Sequence, residues 1–493
     1  IFPAALSSAV GVILVGRMLQ GLLRYWDKTD RSSFDMMDLR EFLKVLEEEH
    51  ELQKIKVEVD PKHELGAICK IHNERPNSPA LLFENVKGNR MPVVGQLLAS
   101  DRRVALALGL SQENVFDETV LRASSPIAPR LVSKGPCQEV IFEGSDVDVT
   151  QLPLCTNNPR DGGPYITAGH VIIKDPEYGK NLSIYRMMLV SKNEVTIRFT
   201  PGHDGYDFMK NAEKRGQQKF EVAVCIGVPP AVYVASQFEP RIGVYELEIA
   251  GGLAGEAVDV VRCRTIDLEV PALAEIVLEG ELTIPAKTGN EGPFGEFCGY
   301  TTQQVPNERI MKIKALTHRK NPVYHNIWLG KPPHEHLYVD ALTYAVAAYQ
   351  ELKPAYPALK KAYAPPWGVS IVLLLQLEKR LMRPGIVDNI LAASLYTRSG
   401  KWKHVFVLDE DVVLEDPNEV LWALTTRFQP ATDMFVIPRG ITSSLEPSAT
   451  VDGLTSKLML DLTIKKNFRG EVAEPTATMR QAVLQRWKEY GLK

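Results

Sequence analysis

The chain has 493 residues, 45% of them hydrophobic and 24% charged, a composition ordinary for a soluble globular protein and a length that asks for two or three cores. A formal net charge of −4 leaves no basic excess, which excludes nucleic-acid binding by phosphate neutralisation as the main activity. Six scattered cysteines with no CxxC spacing argue against a disulfide framework or a structural zinc site and fit a reducing cytoplasm.

The first residues differ from the rest. They are apolar from Ile1 to Val15 and then interrupted by Arg17 and Arg24. This run is shorter than the roughly 20 residues a membrane span needs. Its basic residues follow the apolar stretch, the reverse of a secretory signal. Residues 1–35 are therefore read as an extension outside the core fold, with membrane association of residues 1–30 left open and Met36 or Met37 as the natural start of the folded enzyme. From there "MMDLREFLKVLEEE" places Leu39, Phe42, Leu43 and Leu46 on one helical stripe.

Residues 36–128 mix helical stripes ("ELGAICKIHNER", "RRVALALGL") with short apolar runs ("ALLFENV", "MPVVGQLL"), which predicts an α/β domain. Residues 129–330 carry Val- and Ile-rich runs of strand length, among them "HVIIKD", "SIYRMMLVS", "FEVAVCIGV", "VYELEIA" and "AEIVLEGEL". One helix, "GYDFMKNAEKRG", interrupts them and ends at Gly216. This is a β-rich domain, expected to be a barrel. Over 331–493 long helical patterns return, alternating with strand-like "WGVSIVLLLQL", "KHVFVLD" and "DMFVIP", and predict a third, α/β unit.

Within "NEGPFGEFCGYTT", residues 290–302, Glu291 and Glu296 are separated by Gly292, Pro293, Phe294 and Gly295. A strand would send these carboxylates to opposite faces, and a helix would leave them roughly 140° apart. Proline fixes φ and the glycines allow angles other residues avoid, so a shaped loop decides where each carboxylate points. In "DGGPYITAGHVIIKDPEYGKNLSIYRMM", residues 161–188, a strand would put Arg186 on the face of Ile184 and Met188. A guanidinium among apolar neighbours needs an acid. The loop carboxylates and a substrate carboxylate both qualify, and a purely structural Arg–Glu pair fits the same pattern.

Asn181, His203 and Glu246, each at a strand end or in a turn, make a mixed O/N set better suited to Mn²⁺ or Mg²⁺ than to zinc. His334 and His336 in "PPHEH" are read as solvated residues at the start of a helix. The run "LDEDVVLED" reads as a strand end and turn. Trp328, Leu329, Met187 and Phe435 are candidate pocket walls by neighbourhood, with a core role equally open.

With these residues in hand, the chain resembles the UbiD family of reversible, non-oxidative decarboxylases that use prenylated FMN. The resemblance is carried by "EGPFGEFCGYTT", by "DGGPYITAGHVIIKDPEYGKNLSIYRM", and by "ASQFEPRIGVYELEIAGGLAGEAVDVVRCRTIDLEVPALAEIVLEGEL". "MDLREFLKVLEE" and "HVFVLDEDVVLEDPNEVLWAL" add to it in matching order, so it spans roughly residues 37–480. It implies an N-terminal α/β domain, a central split β-barrel that binds the cofactor and a C-terminal α/β domain for oligomerisation. It implies a catalytic trio of Arg186, Glu291 and Glu296. Asn181, His203 and Glu246 would hold manganese at the cofactor phosphate, with potassium as an additional ion. Asn181, Ser183, Ile184, Arg186, Ser236, Glu246 and Lys403 would contact the cofactor. Homodimers or homohexamers, a flavin prenyltransferase as cofactor supplier and a small carboxylic acid as substrate follow from the same resemblance. Cys298 and the turn Ala235-Ser236-Gln237-Phe238 depart from the family's usual pattern and bear on substrate choice and cofactor contacts.

The chemistry expected is loss of CO₂ from an aromatic, heteroaromatic or α,β-unsaturated acid, with the cofactor as electron sink. Glu296 is assigned as proton donor and Glu291 as the partner that holds Arg186 against the substrate carboxylate. Desolvation near Phe294 and Phe297 is expected to suit one glutamate to donation while Arg186 keeps the other ionised. Two other readings are an FMN oxidoreductase on a β-barrel and an inactive carboxylase subunit. Neither accounts for the retained trio.

Overall fold

A computed structural model describes residues 36–398, 401–443, 445–450 and 452–491; the extension over 1–35 lies outside the described residues. Leu39, Phe42, Leu43 and Leu46 are buried on one face of the helix Leu39–Glu48. Asp38 and Glu41 form a capping box at its start, satisfying amides the first turn leaves unpaired. Behind it lies a four-stranded sheet in the order Leu52–Ile55, Ala80–Phe83, Val93–Gly95, Tyr324–Asn326. The last of these, expected within the barrel domain, instead pairs in parallel with Val93–Gly95. Its residues Tyr324, His325 and Asn326 are all buried, so an alternating pattern gave no sign of which sheet they join.

The central domain is an antiparallel barrel of six strands. In spatial order they are Tyr165–Asp175, Gly179–Ser191, Glu194–Ile197, Val305–His318, Ile276–Thr283 and Lys219–Ile226, and the last pairs back onto the first. Closure removes the exposed edges an open sheet would present. Val171, Met187, Val195, Val224, Leu278 and Met311 belong to the apolar cluster that fills it. The long strand Val305–His318 also takes on Thr288–Glu291 as a side partner, which brings the first acid of the EGPFGE loop to the rim.

"VYELEIA", read as a strand, is the start of the helix Glu246–Ala254. The reason is visible in the spacing: Glu246, Leu247, Ile249, Ala250 and Leu253 recur with helical period and are all buried. Gly255, at φ 81°, caps the end in the left-handed region.

The C-terminal unit is a mixed five-stranded sheet in the order Leu359–Tyr363, Val372–Leu377, His404–Asp409, Leu454–Asp461, Met434–Ile441. The helix Glu335–Leu352 leads into it and is buried along most of its length. Its residues His336, Asp340 and Tyr344 line one cleft together with Ser183, Ile184 and Arg186 of the barrel. Among the described residues no helix is long and apolar enough to cross a membrane.

Candidate active site

Arg186 sits on the strand Gly179–Ser191 where its pairing with Tyr165–Asp175 is irregular. Met187 faces Ile166 and Tyr185 faces Gly169, so Thr167 and Ala168 together oppose Arg186. Such a bulge re-aims a side chain. Ile184, Tyr185 and Arg186 all line one cleft, Met187 is buried in the barrel core, and Met188, expected on the face of Arg186, is not among the lining residues, so strict alternation breaks at the bulge. Met187 is therefore a core residue and not a pocket wall.

The acids reach Arg186 because the loop that carries them is clamped from outside. Gly292, at φ 86°, turns the chain in a region that side chains avoid. A Cβ on Gly162 would fall 2.2 Å from the Gly292 carbonyl oxygen, so only glycine admits this approach. Gly162 N–H donates to the Pro293 carbonyl at 2.7 Å, and Gly295 N–H to Asp161 Oδ1 at 2.9 Å. The "DGG" segment thus shapes the acid loop.

In the resulting cluster Arg186 Nε donates to Glu291 Oε1 at 3.0 Å, Nη2 to Glu291 Oε2 at 3.2 Å, and Nη1 to Glu296 Oε1. The guanidinium lies over the Phe294 ring, 4.7 Å from its centroid. All three charged side chains are largely shielded from water, so each depends on the others for compensation. Glu291 is the inner acid. It also accepts from the Tyr165 hydroxyl at 3.0 Å, whose own ionisation is pushed up by burial and by the Glu291 charge. Glu296 lines the cleft; Glu291 does not.

Tyr165 and Arg198 were not singled out from the sequence. Arg198 Nη1 lies 3.9 Å from Glu291 and makes no hydrogen bond, and burial followed by the nearby Arg186 charge lowers its pKa. Its signal was faint: a lone arginine at the end of "VTIRF".

The cleft has a cavity volume of about 210 Å³, opens to solvent, and is lined by residues of the barrel and of the C-terminal unit. Ser183, Ile184 and Ser236, expected at the cofactor, all line it. Ser236 donates to the Tyr233 carbonyl at 2.7 Å and meets His170 Nδ1 at 3.1 Å. Asn181 and Glu246 lie behind this wall, bonded to each other: Asn181 Nδ2 donates to Glu246 Oε1 at 2.8 Å, and Leu182 N–H to Oε2 at 2.7 Å. Burial lifts the Glu246 pKa to about 8. His203 faces the cleft beside Lys401 and Glu239, and burial, then the Lys401 charge, lowers it to about 4.

Lys403 does not line the cleft. Its Nζ donates to Glu446 at 2.7 Å and to Ser448, beside a separate surface cavity. Lys401, two residues earlier, reaches the cleft instead and pairs with Glu239 at 2.7 Å.

The "PPHEH" reading is also overturned. His334 is fully buried, bonds the Phe297 carbonyl at 2.9 Å and has its pKa lowered to about 3 by burial. His336 lines the cleft. Of the remaining wall candidates Leu329 lines the cleft, Trp328 packs into the core and Phe435 is exposed on an outer strand.

A buried arginine thus grips two acids, one of which lines the cleft. Residues 43–122, 130–332 and 337–462 match, in order, the N-terminal, Rift-related and C-terminal domains of 3-octaprenyl-4-hydroxybenzoate carboxy-lyase. The UbiD-class enzyme HmfF from Pelotomaculum thermopropionicum in complex with FMN is 35% identical with a TM-score of 0.81, over 89% of this chain and 97% of that one. An evolved dimeric form of HmfF in complex with prFMN gives 33% and 0.80, over 90% and 98%. Vanillic acid decarboxylase of Sedimentibacter hydroxybenzoicus, in closed form, is 31% identical with a TM-score of 0.82, over 94% of this chain and all of that one. The 3,4-dihydroxybenzoic acid decarboxylase of Klebsiella pneumoniae is 28% identical with a TM-score of 0.80, over 91% and 99%. The chain belongs to the UbiD family of carboxy-lyases.

Proposed function

We propose that this enzyme reversibly and non-oxidatively decarboxylates an aromatic, heteroaromatic or α,β-unsaturated acid, using prenylated FMN bound in the cleft. The observation that carries the reading is the Arg186–Glu296 pair facing a partly apolar cleft while Glu291 braces the guanidinium from behind. The residues present fit the cofactor. Arg198 offers an unused N–H, Ser183 and Ser236 offer hydroxyls, and Ile327, Leu329 and Phe238 supply apolar walls for a ring system. When bound, the modified flavin supplies the electron sink that no side chain can provide.

This chain's residues then divide the remaining work. Arg186 binds the substrate carboxylate bidentately and sets its orientation. Glu291 and Tyr165 fix the guanidinium so that it does not reorganise during the reaction. Glu296, the acid on the cleft side, delivers the proton to the carbon that has lost CO₂. The apolar walls exclude water and strengthen each of these charges.

Glu246 is a buried carboxylate whose hydrogen-bond partners are neutral, a donor set that suits a divalent cation. Asn181, Glu246 and His203 would hold Mn²⁺ or Mg²⁺ near the cofactor phosphate, with K⁺ as a second ion, and Lys401 would face the same phosphate. A flavin prenyltransferase would supply the cofactor. Exposed Met434, Val436 and Ile441 on the outer C-terminal strand support assembly into a homodimer or homohexamer. The free cysteines fit a cytoplasmic setting. Hydride transfer as in an FMN oxidoreductase leaves the Glu–Arg–Glu set without a role. The test is CO₂ release over a panel of acids by protein co-expressed with a flavin prenyltransferase, repeated with Arg186→Ala; equal release by both would overturn the reading.

A further inference from the structure

The two acids that meet Arg186 are held in different ways. Glu291 ends the strand Thr288–Glu291, which is paired with Val305–His318. Glu296 instead sits in a turn bonded to itself. Its N–H donates to the Tyr300 carbonyl at 3.0 Å, and Gly299 N–H donates to the Glu296 carbonyl at 2.9 Å. Such bonds fix the shape of the turn and leave its placement to other contacts. On the outer side Tyr300 is 64% exposed and offers no support. Ahead of Glu296, Asp161 holds the Gly295 N–H. Behind it, the Phe297 carbonyl meets His334 Nε2 at 2.9 Å. Burial keeps the His334 ring neutral, and a carbonyl can only accept, so the ring carries its proton on Nε2 and donates it. Cys298 Sγ also reaches the Leu445 carbonyl at 3.2 Å, but a thiol is a weak donor.

His334 can hold this turn because its own backbone is pinned on both sides. The two prolines before it are gripped by the helix Glu64–Asn73 of the N-terminal domain: Lys70 Nζ donates to the Pro332 carbonyl at 3.0 Å, and Asn73 Nδ2 to the Pro333 carbonyl at 2.9 Å. The residue after it, Glu335, is fully buried. Its Oε1 accepts from the Tyr233 hydroxyl at 3.1 Å and lies 2.9 Å from His325 Nε2, while Oε2 accepts from Leu97 N–H at 2.8 Å. A buried carboxylate held by three donors is costly to disturb. Leu97 belongs to the N-terminal domain, and His325 to the strand that completes its sheet. Among the described residues none from 36–128 lines the cleft, so this platform gives the N-terminal domain a route to the acid loop.

We infer that His334 is a positioning residue for the proton donor: from a platform that Glu335 fixes to the N-terminal domain, it holds the Phe297 carbonyl and with it the outer acid Glu296. The inference rests on the decarboxylase reading and on Glu296 as its acid. Without this bond the turn keeps its shape and shifts as a body, and a misplacement of about 1 Å costs about 10²-fold in rate. Arg186 still holds the substrate carboxylate, because Glu291 braces the guanidinium independently of the turn.

The test is a double-mutant cycle on protein co-expressed with a flavin prenyltransferase, using an acid that the wild type turns over from a panel of benzoates, furoates and cinnamates. His334→Phe keeps an aromatic ring and removes the donor, whereas His334→Gln keeps a donor near the place of Nε2. In His334→Phe, kcat for CO₂ release and D₂O exchange of the hydrogen that replaces CO₂ should both fall about tenfold to a hundredfold. Its Kd for the same acid, from calorimetric titration into FMN-loaded protein, should stay within about twofold of wild type. His334→Gln should recover most of the rate. In a Glu296→Gln background His334→Phe should cost little more, since its effect runs through the acid already removed. Should His334→Phe not fold, Glu335→Gln, of the same shape, is read in the same cycle with the same expectation. Losses that multiply across the cycle, or a weakened Kd with kcat kept, would overturn the positioning role and leave the decarboxylase reading standing. A wild type that releases no CO₂ from any acid would overturn that reading and the positioning role with it.

Discussion

Arg186 meets Glu291 through two near-parallel contacts, Nε to Oε1 at 3.0 Å and Nη2 to Oε2 at 3.2 Å, and so has Nη1 left for Glu296. One planar group therefore spans an inner and an outer acid, and only arginine has the geometry to do it. Arg186→Lys keeps the charge and loses the fork. Its kcat/KM should fall by about a hundredfold or more, with the fold and flavin content preserved. A loss of less than about threefold would show that charge alone suffices there.

The two acids should behave differently when neutralised. Glu296→Gln removes the proposed proton donor at the cleft and should lower kcat by about 10²–10⁴ with little change in KM. Product incubated in D₂O with this variant should fail to exchange its ring hydrogen. Glu291→Gln disturbs the brace instead and should raise KM for the acid as well as slow the reaction. A Glu296→Gln enzyme that loses only affinity would remove the proton-donor role.

Lys401 and Lys403 make a clean comparison, since one lines the cleft and pairs with Glu239 while the other pairs with Glu446. Lys401→Ala should weaken FMN retention about tenfold, as expected for losing a charge-assisted bond to a phosphate. Lys403→Ala should retain flavin normally. Fluorescence titration of apoprotein with FMN reads both, and the opposite pattern would return the phosphate contact to Lys403.

His334 should make the fold acid-sensitive. Its folded-state pKa is lowered to about 3 by burial, against about 6.5 in the unfolded chain. Above pH 6.5 both states hold the ring neutral and the stability is fully present. As pH falls from about 6.5 towards 3 the unfolded chain takes up a proton that the native one refuses, and stability declines, by about 4 kcal/mol at most. His334→Gln should flatten that acid limb in chemical denaturation run across this pH range. An unchanged slope would show that His334 is protonated in the native state.

The sequence carried the trio well and the supporting groups poorly, for physical reasons. Arg186, Glu291 and Glu296 were readable because strand alternation and a Gly/Pro loop constrain local geometry, and the structure brings these three together. Tyr165, Arg198 and Lys401 were missed because their positions at the cluster and the cleft depend on register between strands distant in sequence, which no local pattern encodes. "VYELEIA" misled because its Val, Tyr and Ile favour strands, while the burial of Glu246, Ile249 and Leu253 on one side made it a helix. His334 looked solvated because it stands at the start of a helix beside Glu335, yet its ring bonds the Phe297 carbonyl of the acid loop and is buried.

The most direct test is to purify the protein after co-expression with a flavin prenyltransferase, take the mass of the released cofactor, and follow CO₂ from a panel of aromatic acids under anaerobic conditions. A mass matching prenylated FMN, with CO₂ and the decarboxylated product formed in equal amounts and neither formed by Arg186→Ala, is the predicted result. Ordinary FMN in the cleft, turnover only with a nicotinamide reductant and no CO₂ from any acid would contradict it.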